Sequence, residues 1–258
     1  MPRSCPWIKK RKQLIVIGLR EVFLFFQVHL MRQLITTAFN HPVNFPHISQ
    51  VVYPGDRVVI AADAFVVGRP ALLADIVSEI ISVGLNPNDV SILMLESEQK
   101  MLEQPFREAL PEEYRTSINV VAHHPTDPQS LAMLGVAKDD SPILLHRALV
   151  DADVIIPIER FDATRGAGHW GMQSVIYPRF TDAETQKRFL FSETKKNHEK
   201  NRAALVAEID EIAWSLGVVM TVQILTDDRD EVTQVIVGDA KEIAVLLAKD
   251  RKTRKNKP

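Results

Sequence analysis

Short, unbroken apolar runs recur along this chain, and most are separated by a stretch with helical periodicity. "RVVIAAD" (57–63), "DVSILML" (89–95), "SINVVAHH" (117–124) and "DVIIPIE" (153–159) are of this kind. A run too short for a helix and apolar at every position suits a strand buried on both faces. Between the first two lies "RPALLADIVSEIISVGL" (69–85), where Leu72, Leu73, Ile76, Val77, Ile80 and Ile81 fall on one helical stripe. Pro70 suits the first turn, where a missing N–H costs nothing, and Gly84 suits the end. Strands alternating with helices predict right-handed βαβ units, hence an α/β fold with a mainly parallel, Rossmann-like sheet flanked by helices.

The remaining segments complete that expectation. "KMLEQPFREAL" (100–110) predicts a helix interrupted at Pro105. "DPQSLAMLG" (127–135) predicts a short helix closed by Gly135, and "SPILLHRALVDA" (141–152) a strand followed by a helical turn. Residues 182–217 read as mostly helix, with Ala204, Ile209, Ile212 and Ala213 facing inward. Two apolar segments, 218–225 and 232–238, flank the acidic turn "TDDRDE" and predict a hairpin. "DAKEIAVLLAKD" (239–250) closes the chain as a helix with Asp239 as N-cap.

The ends read differently. "KKRKQ" (9–13) precedes the apolar "LIVIGLREVFLFFQVHL" (14–30), which has the outline of a targeting leader. Arg20 and Glu21 break it in the middle, whereas a spanning helix needs about 20 mostly apolar residues in a row. The expectation is that residues 1–30 are a leader, not translated if synthesis begins at Met31, that 31–250 form one domain, and that "RKTRKNKP" (251–258) is a solvated basic tail. An intact mass that includes Met1–Leu30 would end the idea of a later start.

Composition excludes several classes of function. Lys plus Arg number 31 against 33 Asp plus Glu, a net charge of −2, which predicts no nucleic-acid partner. The single Cys5 leaves neither a disulfide framework nor a multi-cysteine metal site and suits a reducing, cytoplasmic setting. No membrane partner is expected.

Candidate chemistry gathers at strand ends, where open α/β sheets bind ligands. Asp63 closes the first run and Arg69 opens the next helix; a guanidinium at a helix start suits a carboxylate or phosphate, and the alternative is an Asp cap and a surface Arg. His123, His124 and Asp127 suit zinc or nickel; alternatively His124 or His123 bonds a loop carbonyl and Asp127 caps the next turn. The glycine-rich "RGAGHWGMQSVIYP" (165–178) follows a strand. Gly168 and Gly171 allow close backbone approach, with His169 as an acid/base group or merely solvated beside a core Trp170. No Gly-x-Gly-x-x-Gly, Walker loop or Gly-x-Ser-x-Gly occurs.

Taken in order, "PGDRVVIAADAFVVGRP", "VAHHPTDPQSLAMLG", "HRALVDADVIIPIE", "GAGHWGMQSVIYP", "DAETQKRF" and the closing "GVVMTVQILTDDRDEVTQVIVGDAKE" resemble the N-terminal domain of the nickel-pincer-nucleotide lactate racemases over about residues 50–245. The resemblance implies 2-hydroxyacid racemisation on a nickel cofactor tethered by a loop lysine, with a nickel-ligating His, two acid/base His and an Arg for the substrate carboxylate. Carried over residue by residue, the tether falls on Gln173 and the first acid/base position on the stretch around Glu98. The second falls on Arg160–Phe161–Asp162, and the nickel position on a stretch after Thr185 that has no His before His198. Asp63 and Arg69–Pro70 survive, with extra residues between them, and the expectation is that the chain lacks the family's second domain.

The expectation is a degenerate member of that family, without nickel-dependent racemase activity. It binds a small anionic or hydroxylated ligand near Asp63, Arg69, Gly168, His169, Gly171 and Gln173. No cofactor is expected; the nickel-pincer nucleotide is expected only if the family activity is retained. The alternatives are an active racemase, a divergent metalloenzyme using His123, His124, Asp127 or His169, and a subunit that needs a partner chain, or a second copy, to supply the missing half.

Overall fold

A computed structural model describes residues 29–137, 140–161, 172–192, 195–218 and 220–255. Eight strands are present among them: β1 (Val58–Ala62), β2 (Val90–Leu95), β3 (Asn119–His123), β4 (Leu131–Val136), β5 (Pro142–His146), β6 (Val154–Arg160), β7 (Thr221–Thr226) and β8 (Val232–Gly238). The helices are α1 (residues 29–40), α2 (Ala64–Val67), α3 (Pro70–Ile81), α4 (Glu96–Ala109), α5 (Arg147–Val150), α6 (Ala183–Ser192), α7 (Lys195–Ser215) and α8 (Ala240–Lys255).

Six strands form one sheet in the order β3-β2-β1-β6-β7-β8. The first five run parallel, with Ile60 beside Ile92 on one side and Ile156 on the other, and β8 returns antiparallel along β7. All five residues of β1 are buried. Val58, Ile60 and Ala62 pack into a core shared with α1, α3 and α4, and Val59 and Ala61 into one shared with α5, residues 175–180 and α7. A strand with helices on both faces has no solvent side, which is why its sequence shows no polar alternation. The α3 stripe is buried throughout, Pro70 stands in its first turn, and Gly84 takes φ 106 just after its end.

Three expectations are corrected. Residues 131–136 are a strand, not the end of a helix: β4 pairs antiparallel with β5 as a separate two-stranded sheet, Leu131 opposite His146 and Met133 opposite Leu144. Leu, Ala and Met favour a helix locally, but pairing and the burial of Leu131 and Leu145 override that preference. Helix α4 passes through Pro105 unbroken. Buried Phe106 and Leu110 hold its second half to the core, and Arg107 pairs with Glu103 one turn earlier, at 2.7 Å. Helix α8 continues to Lys255, beyond the expected start of a solvated tail, with the Asp239 carboxylate capping it through the Glu242 amide at 2.9 Å. No helix among the described residues is long and apolar enough to cross a membrane, and most of the 14–30 segment lies outside them.

Candidate functional site

Parallel strands bring their carboxyl ends to one crest. Asp63 follows β1, Glu96 follows β2, His124 follows β3, Arg160 ends β6, and the 227–231 turn follows β7. From β1 the chain steps outward through β2 and β3, and from β6 outward through β7, so the direction of winding reverses between β1 and β6. Such a reversal leaves a crevice above adjacent strand ends.

Asp63 staples that crevice rather than lining it. One carboxylate oxygen accepts the Val66 amide at 2.9 Å and caps α2; the other accepts the Arg160 amide across the strand gap at 2.8 Å. Beyond the staple stand two guanidinium groups. Arg160 is 6% exposed, and its Cζ lies 4.4 Å from the Phe65 ring centroid. The Arg69 Cζ lies 3.6 Å from the same centroid. Arg69 donates to the Phe65 carbonyl at 3.3 Å and to the Asp230 carbonyl at 3.2 Å, and Arg160 donates to the Asp230 carboxylate. Phe65 supplies a flat wall on which both cations stack.

Neighbouring residues on a strand face opposite sides, so Glu159 points away from Arg160. It is 3% exposed and accepts from the Gln173 amide at 2.5 Å, the Gln223 side-chain amide at 2.9 Å and the Ser174 hydroxyl at 3.3 Å. Burial pushes its carboxyl up to about 7, against the pull of those donors and with added repulsion from Asp63. Gln173 is buried with φ 69, and its backbone amide is fixed on Glu159.

At the β3 edge of the sheet the expected histidine pair separates. His123 is buried and bonds the Thr181 carbonyl through Nε2 at 2.8 Å, with its ring 5.6 Å from that of His146. Burial holds it neutral, pushed down to about 4. His124 faces the other way, half-buried, 3.3 Å from Glu96. The Asp127 carboxylate accepts the Gln129 amide within its own turn, at 3.0 Å. No group of three His, Cys, Asp or Glu able to hold a metal ion occurs among the described residues. Glu98 is engaged by Arg179 at 2.5 and 2.6 Å. Gly168, His169 and Gly171 lie outside the described residues.

Of the expected site residues, Arg69 stands in the crevice, Asp63 braces it, and Gln173 bonds Glu159 on the opposite face of the sheet. Sequence reasoning passed over Glu159 and Asp230 and took Arg160 only as the place of a missing His. The signal was "PIER": two charges closing a buried strand must each find a partner. A groove between α1 and α3 holds none of these residues; there Arg32 pairs with Asp75 and Thr36 with Glu79, both at 2.9 Å.

The family model of the lactate racemase N-terminal domain matches residues 10–185. The fold is similar to the lactate racemase apoprotein of Thermoanaerobacterium thermosaccharolyticum, with a TM-score of 0.59 and 13% identity over 83% of this chain and 53% of that one. A Thermotoga maritima protein gives a TM-score of 0.54 and 16% identity over 78% and 56%. The chain thus spans about half the length of these solved structures. No curated protein matches its sequence.

Proposed function

Because the chain belongs to the lactate racemase N-terminal domain family, we propose that it uses this fold to bind a small carboxylate in the crevice between β1 and β6, without nickel-pincer racemase chemistry. The observation that carries the reading is the convergence of Arg69 and Arg160 on Phe65 at the reversal point. Two guanidinium groups with a planar backing suit one carboxylate, because their donors match its paired oxygens.

The residues do not fit the nickel-pincer nucleotide. An amide, Gln173, stands where the tethering lysine amine is implied, and amides do not form such bonds. Phe161 brings no imidazole, and Glu98 is held by Arg179. No step is therefore assigned to the cofactor, and the crevice's task is binding: Asp63 fixes the strand gap, Glu159 fixes the backbone at Gln173, and the arginines take the anion.

Calorimetric titration of the full chain with sodium lactate at low ionic strength tests this. Saturable binding is expected, weakened about tenfold or more in Arg69→Ala and Arg160→Lys. Absence of binding sinks the carboxylate reading. Interconversion of D- and L-lactate by the purified, nickel-supplied chain sinks the view that racemisation is lost.

A second reading rests on length. The match covers 53% and 56% of the solved relatives' own chains, and the second reading is that a partner chain or second copy docks over the crevice. Light scattering and co-purification from the native source test it; a monomer that co-purifies with nothing ends it.

A further inference from the structure

The crevice already holds a carboxylate, and it belongs to the chain itself. We propose that Asp230, at the tip of the β7–β8 hairpin, is a tethered occupant of the Arg69–Arg160 site that an incoming monocarboxylate must displace. The inference rests on the reading of that site as a carboxylate site.

The hairpin is built to deliver this one residue. Its first strand, β7, runs parallel to β6 and ends at the crest, so the 227–231 turn stands beside the crevice rather than at the opposite end of the sheet. Asp227 holds the turn's shape: its carboxylate accepts the Arg229 amide at 2.9 Å and the Glu231 amide at 3.0 Å, and its own amide donates to the Glu231 carbonyl at 2.9 Å. Asp230 adopts φ 62 within that frame, a left-handed conformation tolerated by Asp, Asn and Gly. From there it offers two acceptors at once. Its carbonyl takes Arg69 at 3.2 Å and its carboxylate takes Arg160. Asp230 thus presents a carboxylate and a carbonyl separated by Cβ and Cα; a small hydroxy- or oxo-carboxylate offers the same two kinds of acceptor at a shorter spacing.

Exposure shows which partner can move. The Asp230 side chain is 63% exposed while that of Arg160 is 6% exposed. The cation is fixed in the protein and the carboxylate lies on the solvent side of the contact. Exchange of Asp230 for an external carboxylate keeps Arg160 neutralised, so neither state leaves a buried charge alone. The turn also selects among anions. Asp227, Asp228 and Glu231 flank Asp230 along the chain, and their charge disfavours a dianion such as phosphate more than a monocarboxylate.

The experiment is calorimetric titration of the full chain with sodium lactate, and separately with inorganic phosphate, at low ionic strength. Asp230→Asn and Asp230→Gly both tolerate the left-handed backbone, and both keep the carbonyl while removing the carboxylate. Each is expected to bind lactate roughly two- to fivefold more tightly than the native chain. Asp228→Asn removes the same charge from the same turn without the contact, and is expected to change affinity less. Phosphate is expected to bind more weakly than lactate throughout. Equal affinities in Asp230→Asn and Asp228→Asn, or weaker binding in both Asp230 variants, overturn the displaced-occupant proposal while leaving the carboxylate site standing. Lactate binding by none of the proteins overturns the site and this inference together.

Discussion

Glu159 and His123 are buried titratable groups on the same face of the sheet, and their effects on stability run in opposite directions. Burial raises Glu159 from an ordinary value of 4.5 to about 7. Between those values the unfolded chain releases a proton that the folded chain keeps. Its contribution is therefore complete below pH 4.5 and lost as pH rises toward 7. Burial lowers His123 from 6.5 to about 4. The unfolded chain then takes up a proton the folded chain refuses, so this contribution is complete above pH 6.5 and lost as pH falls toward 4. Each group acts with a slope of roughly 1.4 kcal/mol per pH unit. From about pH 4.5 to 6.5 the two slopes oppose each other. Chemical denaturation across pH 4–7.5 is expected to show stability rising more steeply with pH in Glu159→Gln than in the native chain, and less steeply in His123→Phe, where His146, also lowered by burial, still acts. A Glu159→Gln profile parallel to that of the native chain would place the ionisation elsewhere.

Among the elements, those held by distant partners are the ones that local sequence misreports. Strand β4 has helical residue preferences, yet pairing with β5 makes it extended. Helix α4 contains a proline, yet packing of Phe106 and Leu110 carries it through. The end of β8 is the sharpest case. Gly238 has φ 146, and a Cβ there would stand 2.3 Å from the Val43 carbonyl oxygen and 2.6 Å from its nitrogen. The Val43 amide donates to the Val237 carbonyl at 2.7 Å, and the Asp239 amide to the Val43 carbonyl at 3.0 Å, so the segment after α1 is laced to this edge. Gly238→Ala is expected to cost about 2–4 kcal/mol, because both the φ and the close backbone approach forbid a side chain. Thermal denaturation measures it; an unchanged melting temperature would mean that the lacing contributes little.

Across the molecule, stability is unequally shared. Strands β1 and β6 are buried along their whole length and paired on both sides. The β4–β5 pair stands outside the main sheet, tied back by contacts such as the His146 amide to the Phe180 carbonyl at 2.8 Å. Two strands alone are marginal, so hydrogen exchange is expected to be slowest in β1 and β6 and much faster in β4. Equal protection would show that β4–β5 opens only with the whole domain. The sequence by itself determined the parallel sheet, its flanking helices, the closing hairpin and the Asp239 cap, because continuous apolar runs, helical stripes and caps are local signals. It also placed Asp63 at a strand end and Arg69 at a helix start. Only the tertiary structure decided what those groups face. Arg160 meets Asp230, Glu159 meets Gln223, and His123 meets Thr181 across 70, 64 and 58 residues. The partner that satisfies a buried charge is fixed by strand order, register and the path of a turn, and no nearby residue carries that information.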